Sequence, residues 1–304
     1  MNPSFPTLSA QRRPVLLIVG CGDVGLRVLR LLHPRWRVLA LTSSPRRVPA
    51  LRAAGAVPLL GNLDEPATLW RLGALASAVL HLAPPPGQGQ GDPRTLALLR
   101  ALLRGGRVQR LVYASTSGVY GDCGGERFDE ARPTRPATAR AQRRVAAEAQ
   151  LRWFGRASHL RPVAVSVLRI PGIYASDRAG GDPRERLLRG RPVLAAEDDV
   201  YTNHVHADDL ARACVAALHR GAPQRVYHAS DDTELKMGDY FDLVAQLSGL
   251  SPPPRVHRGE AQQSLSPLQL SFMSESRRLD NTRLKRELRL KLRYPTVAQG
   301  LVEG

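Results

Sequence analysis

Apolar residues come in two rhythms along this chain. Unbroken runs such as Val15-Leu16-Leu17-Ile18-Val19 alternate with stretches whose apolar positions recur every three or four residues, as in Leu26, Val28, Leu29, Leu31 and Leu32. An unbroken run bounded by turn residues predicts a strand buried on both faces, and the wider spacing predicts a helix packed against it. The alternation continues with strands at Arg37–Leu41, Ala56–Leu60, Ala78–Leu82, Val108–Ala114 and Val163–Ile170. Helices are predicted from about Pro45 to Ala54, Pro93 to Leu103 and Pro136 to Phe154. After Pro171 the pattern loosens, yet His206–His219 reads as a helix and Gln224–Ala229 as a strand returning to the sheet. Repeated β-α-β units imply an α/β fold, a doubly wound parallel sheet with right-handed crossovers.

The first turn carries the most specific chemistry. Gly20-Cys21-Gly22-Asp23-Val24-Gly25 lies between the first strand and the first helix. In that context Gly20 permits the turn, Gly22 admits a diphosphate to the backbone, and Gly25 lets the helix pack on its strand. The helix N-terminus, through the amides of Asp23 and Val24, offers unpaired N–H groups and a positive dipole end to the anion. Residues 14–175 are therefore expected to form a Rossmann-type NAD(P)-binding domain. Residues 1–13 are expected to form a flexible arm, and 176–304 a smaller C-terminal substrate-binding region in which about 203–230 rejoins the sheet.

The second strand ends Leu41-Thr42-Ser43-Ser44-Pro45-Arg46-Arg47, without an acid for a ribose 2′-hydroxyl. Ser43, Arg46 and Arg47 suit a 2′-phosphate, so NADP is expected before NAD. The alternative is that Ser43 or Ser44 caps the next helix. Asn62 and Leu63 fall where an adenine would lie, and Asp64 either contacts the base or caps a helix beginning near Pro66.

Composition narrows the class. The formal charge of +17 rests on 44 Lys+Arg, of which only Lys236, Lys285 and Lys291 are lysine. The arginines are scattered and lack interleaved aromatics, so no specific nucleic-acid role is expected. No apolar stretch approaches a bilayer span, and the first residues lack a signal-peptide core. Three widely spaced cysteines give neither a disulfide framework nor a zinc site, which favours a cytoplasmic setting.

These residues together resemble a short-chain dehydrogenase/reductase of the extended type, in the NAD(P)-dependent epimerase/dehydratase group, from about residue 14 to 301. His81-Leu82-Ala83 resembles the loop under the nicotinamide ribose, and Ala114 to Gly121 the fifth-strand segment. Leu168-Arg169-Ile170-Pro171-Gly172-Ile173-Tyr174 resembles the sixth strand and its turn, which puts Pro171 beside the nicotinamide. Asn203 to Leu210 resembles the later segment that leads into a helix. The resemblance implies a Tyr-x-x-x-Lys pair on the long helix, and here the chain departs. Counting back from Glu148 places Arg144 at the Lys position and Arg140 at the Tyr position, and no tyrosine lies between Tyr120 and Tyr174. The chain thus resembles atypical members lacking the dyad.

Among candidate chemical groups, Thr116 stands at the catalytic Ser/Thr position and is either a site residue or a strand-end cap. Tyr120 is either a replacement proton donor or a packed ring, and His81 either an acid–base group or a structural histidine. Arg144 is expected to hold the ribose. Arg140 is a candidate anion clamp on the substrate, unless Arg140, Arg144 and Glu148 merely pair along one helix face. His204 and His206 complete no metal shell; packing, with Asp208 as a helix cap, is the expectation. Arg277 or Arg278 either reaches the substrate or is surface charge. The function expected is an oxidoreductase or epimerase-like enzyme acting on a small or sugar-like carbonyl or hydroxyl substrate. The rival is a non-catalytic NAD(P)-binding sensor. A homodimer through the long helix is compatible with the resemblance.

Overall fold

A computed structural model of the chain describes residues 13–157 and 162–303, so the expected arm lies, Arg13 apart, outside the described residues. The first six strands are β1 (Val15–Val19), β2 (Arg37–Thr42), β3 (Val57–Leu60), β4 (Ala78–His81), β5 (Arg110–Thr116) and β6 (Ala164–Ile170). Two short strands, β7 (Gly172–Tyr174) and β8 (His204–His206), pair parallel to each other beyond the sheet. A further strand, β9 (Arg225–His228), lies at the sheet edge beside β6. The order is β9-β6-β5-β4-β1-β2-β3, all parallel, which is a Rossmann-type sheet.

Helices α1 (Asp23–Leu32), α2 (Val48–Ala53) and α6 (Ala207–Arg220) cover one face, α3 (Pro93–Gly105) and α4 (Ala139–Ala157) the other, and α5 (Arg184–Leu188) and α7 (Met237–Ser248) pack together in a separate cluster. Successive residues of β1 divide between two cores, as the pleat requires. Leu16 and Ile18 pack with Val28, Leu29, Leu210 and Cys214 under α1 and α6. Leu17 and Val19 pack with Leu98, Leu102, Leu151 and Phe154 under α3 and α4.

Some boundaries move for local reasons. The long helix starts at Ala139, not Pro136, because the Thr138 hydroxyl accepts the Ala141 N–H at 3.2 Å and begins the first turn there. The helix expected after Pro66 is one 3-10 turn, Pro66–Leu69. No helix among the described residues is long and apolar enough to cross a membrane. The strand order reverses between β1 and β4, so a crevice opens at the carboxyl ends of those strands.

Candidate functional site

Gly20 closes β1 at φ +85°, and a Cβ there would fall 2.5 Å from the Ala83 amide nitrogen. The loop after β4 can therefore sit on the turn, with Leu82 and Ala83 N–H both donating to the Val19 carbonyl at 2.8 and 3.0 Å. A Cβ on Gly25 would lie 3.2 Å from Cys21 Sγ and 3.3 Å from Ile18 Cγ2, which keeps α1 tight on its strand. Gly22 is different: a Cβ there meets nothing within 4 Å. The first helical bond of α1 runs from Leu26 N–H to the Gly22 carbonyl at 2.9 Å, so the amides of Asp23, Val24 and Gly25 have no acceptor within the helix. Open space over Gly22, beside three amides that the helix itself leaves without an acceptor, fits a dinucleotide diphosphate.

The end of β2 borders this loop. Arg47 donates to the Cys21 carbonyl at 2.7 Å, while Ser43 and Arg46 are exposed on the same edge. Neither serine caps a helix: the turn at Pro45 has no side-chain cap, and Ser44 N–H bonds to Thr42 Oγ1 instead. Asn62 folds its own turn, accepting Asp64 N–H at 3.1 Å and donating to Glu65 at 2.9 Å, and Leu63 packs half-buried on the core. Asp64 is no cap. Its carboxylate holds Arg94 bidentately at 2.7 and 2.6 Å, a stronger partner than an orphan amide.

A cavity of about 680 Å³ opens beyond the carboxyl ends of β5 and β6, and Thr116, Arg140, Arg144 and Pro171 all line it. Thr116 proves to be cap and wall together: its oxygen accepts Gly118 N–H at 3.2 Å, which leaves its own proton to donate. Arg144 donates to the Ala114 carbonyl at 2.6 Å and to Tyr113 Oη at 3.0 Å. Arg140 lies over the Phe272 ring at 4.7 Å. Arg186, from α5, donates to the Pro192 carbonyl at 2.5 Å and covers Phe241. Among the described residues none of Arg140, Arg144 and Arg186 has a carboxylate within salt-bridge distance. Burial draws Arg140 and Arg186 below the ordinary arginine value, with the Glu275 carboxylate on the cavity wall partly offsetting the effect at Arg140. Arg277 also lines the cavity, bonded to Glu275 at 2.6 Å; Arg278 instead covers Tyr201 and donates to the Gly125 carbonyl.

Sequence patterns gave no sign of Arg186, Tyr201, Thr202 or Phe272, which reach the cavity from helices of five and six residues and a two-residue strand. Among the described residues the buried Thr202 Oγ1 and His204 Nδ1 on the cavity wall have no hydrogen-bond partner.

The geometry bears on three of the open alternatives. Tyr120 is sealed in the interior, 1% exposed, and does not line the cavity. Its oxygen accepts Arg169 Nη1–H at 2.6 Å, its proton goes to His228 Nε2 at 2.6 Å, and the other imidazole N–H donates to the Asp280 carbonyl at 2.9 Å. Burial pushes this phenol up to about 12, and its proton is committed to His228 away from the cavity. His81, 1% exposed, donates from Nε2 to Thr95 Oγ1 at 2.9 Å, because the Thr95 proton is committed to Asp92 at 2.6 Å. Burial holds this imidazole down to about 3, so it is neutral near neutral pH. Glu148 does not pair along its helix with Arg144. It takes Arg169 bidentately at 3.1 and 2.7 Å, and the Ser115 hydroxyl at 2.7 Å, with Arg152 at its edge.

Nearby, His206 rather than Asp208 caps α6, its Nδ1 accepting Asp208 N–H at 3.2 Å. His204 stacks on Tyr240 with ring centroids 3.9 Å apart. The described residues hold no cluster of three or more metal-ligating side chains.

A doubly wound sheet with a diphosphate loop at its first crossover, and a polar cavity at the ends of β5 and β6, defines a dinucleotide-binding scaffold. The chain belongs to the NAD dependent epimerase/dehydratase family, whose profile matches residues 16–229. It is 26% identical over 286 residues to Protein YeeZ of Escherichia coli K12, covering 91% of this chain and 95% of that protein. It is 29% identical over 179 residues to a UDP-glucose 4-epimerase of Streptomyces lividans, covering 53% and 54%. Among solved structures, a functionally unknown conserved protein from Silicibacter pomeroyi is 31% identical, covering 95% and 96% of the two chains at a TM-score of 0.79. MoeE5 in complex with UDP-glucose and NAD shares the fold at 22% identity, covering 94% and 95% at a TM-score of 0.72.

Proposed function

We propose that this protein is an NADP-preferring oxidoreductase or epimerase-like enzyme acting on a small or sugar-like substrate with a carbonyl or hydroxyl and an anionic group. The observation that carries this reading is one cavity joining the Thr116 hydroxyl to Arg140, Arg144 and Arg186, guanidiniums without carboxylate partners among the described residues. When bound, the dinucleotide supplies or accepts hydride. Thr116 hydrogen-bonds the substrate oxygen through its free hydroxyl proton, without giving it up, and holds the reacting carbon in place. Arg140 and Arg186 take the anion in the planar fork that suits carboxylate or phosphate. Arg144, held by the Ala114 carbonyl, turns its remaining N–H groups toward the ribose hydroxyls. Water supplies the proton that accompanies hydride addition, because Tyr120 and His81 are walled off. NAD-complexed relatives such as MoeE5 support a nicotinamide dinucleotide in the glycine loop; the preference for NADP rests on Ser43, Arg46 and Arg47.

Two measurements test this. NADPH fluorescence titration should show tighter binding than NADH, and replacing Arg46 and Arg47 together by alanine should cost roughly tenfold or more for NADPH while sparing NADH. Equal losses for both nucleotides would remove these arginines from 2′-phosphate selection. Across a panel of anionic carbonyl compounds and sugar nucleotides, Thr116→Ala should lower NADPH oxidation roughly 100-fold, the scale of losing one preorganised donor. Turnover equal to the parent's would exclude Thr116 from the chemistry.

A second reading, a dinucleotide-binding sensor with little turnover, draws support from the cavity's lack of lysine among its lining residues and from phenols raised by burial. Tight NADPH binding with no oxidation of any panel compound would favour it.

A further inference from the structure

The glycine loop carries an acid beside the place of the diphosphate, and the surrounding charges explain how that is tolerated. Asp23 opens α1, and its carboxylate contacts Arg27 Nε at 3.2 Å and Arg178 Nε at 3.3 Å. Arg27 is only 5% exposed and is divided among three carboxylates, Asp23, Asp177 and Asp208. Arg178 makes its salt bridge with Asp23 alone among the described residues. It comes from the loop after β7 and folds over Gly181, where a Cβ would lie 2.5 Å from Arg178 Nη1. Gly181 N–H returns to the Arg178 carbonyl at 2.9 Å, and Gly180, Gly181 and Asp182 are part of the cavity wall.

We propose that Arg178 is a positioning residue for the dinucleotide: it neutralises Asp23 at the diphosphate end of α1 and thereby ties cofactor occupancy to the order of the 175–183 segment that walls the substrate cavity. The inference rests on reading the glycine loop as the dinucleotide site. A diphosphate brought to the amides of Asp23, Val24 and Gly25 is attracted by the helix end and repelled by the neighbouring carboxylate. With Arg178 gone, Asp23 depends on a guanidinium already shared three ways, and the repulsion is felt. With Asp23 also neutral, there is nothing left to counter. The coupling runs both ways, since whatever holds Arg178 in place also favours the nucleotide.

The test is a cycle of Arg178→Gln, Asp23→Asn and the double variant, read by NADPH fluorescence titration. Arg178→Gln is expected to weaken binding about tenfold, and adding Asp23→Asn to restore it to within about threefold of the parent. Hydrogen exchange across 175–183 should slow when NADPH is added to the parent and stay unchanged in Arg178→Gln. Unaltered binding by Arg178→Gln, or a loss that Asp23→Asn does not rescue, overturns the proposal. A parent that binds neither NADPH nor NADH overturns the reading of the loop itself, a result separable from equal binding by parent and variant.

Discussion

Glu148→Ala is expected to lose about 3–5 kcal/mol of folding stability, the cost of leaving a buried guanidinium without its carboxylate. Both partners are almost sealed, with Glu148 and Arg169 side chains 1% and 3% exposed. Arg169 would keep only Tyr120 Oη, and the Ser115 hydroxyl would lose its acceptor. A domain's whole margin is commonly about 5–15 kcal/mol, so this one change removes a large share. Denaturant unfolding followed by circular dichroism measures the loss. The companion experiment is Glu148→Leu with Arg169→Met, which removes both charges and should recover most of the stability. A single-variant loss below about 1 kcal/mol would mean that water reaches the pair and screens it.

Gly22→Asp is expected to abolish NADPH binding, lowering affinity at least about 100-fold while leaving the fold intact. Gly22 has φ −85° and open space where its Cβ would be, so the folded chain accepts a side chain there. The new carboxylate would fill the volume set aside for the diphosphate and bring like charge to it. Gly20 makes the contrast, because at φ +85° and 2.5 Å from the Ala83 backbone any substitution strains the turn itself. Fluorescence titration beside thermal melting separates the two effects. An affinity within tenfold of the parent, at an unchanged melting temperature, would place the nucleotide elsewhere.

What the sequence revealed follows from how local each signal is. The glycine turn was legible because strand, turn and helix are contiguous, and Thr116 and Pro171 because they end strands whose period is plain. Arg140 and Arg144 emerged from counting along one helix, and both reach the cavity. Glu148 misled because an exposed i,i+4 pair, worth only about 0.2–0.5 kcal/mol, gives way to a buried bidentate partner on another element. Arg169, on β6, carries no local mark of that role. Tyr120 and His81 were ambiguous for a similar reason: a ring at a strand end turns inward or outward according to partners far along the chain, here His228 and Thr95. The cavity's outer wall, from Arg186 and Phe272, lies in helices of five and six residues, too short to show a period.

One consequence follows from the cavity's choice of cation. Guanidinium stays protonated across the whole range in which a protein survives, whereas an ammonium or imidazolium does not. His204, the imidazole on the wall, is pushed down to about 3 by burial and is uncharged near neutrality. The grip on an anionic guest should therefore be deaf to moderate alkalinity. Added electrolyte, which shortens the reach of every exposed charge, is the natural way to loosen it.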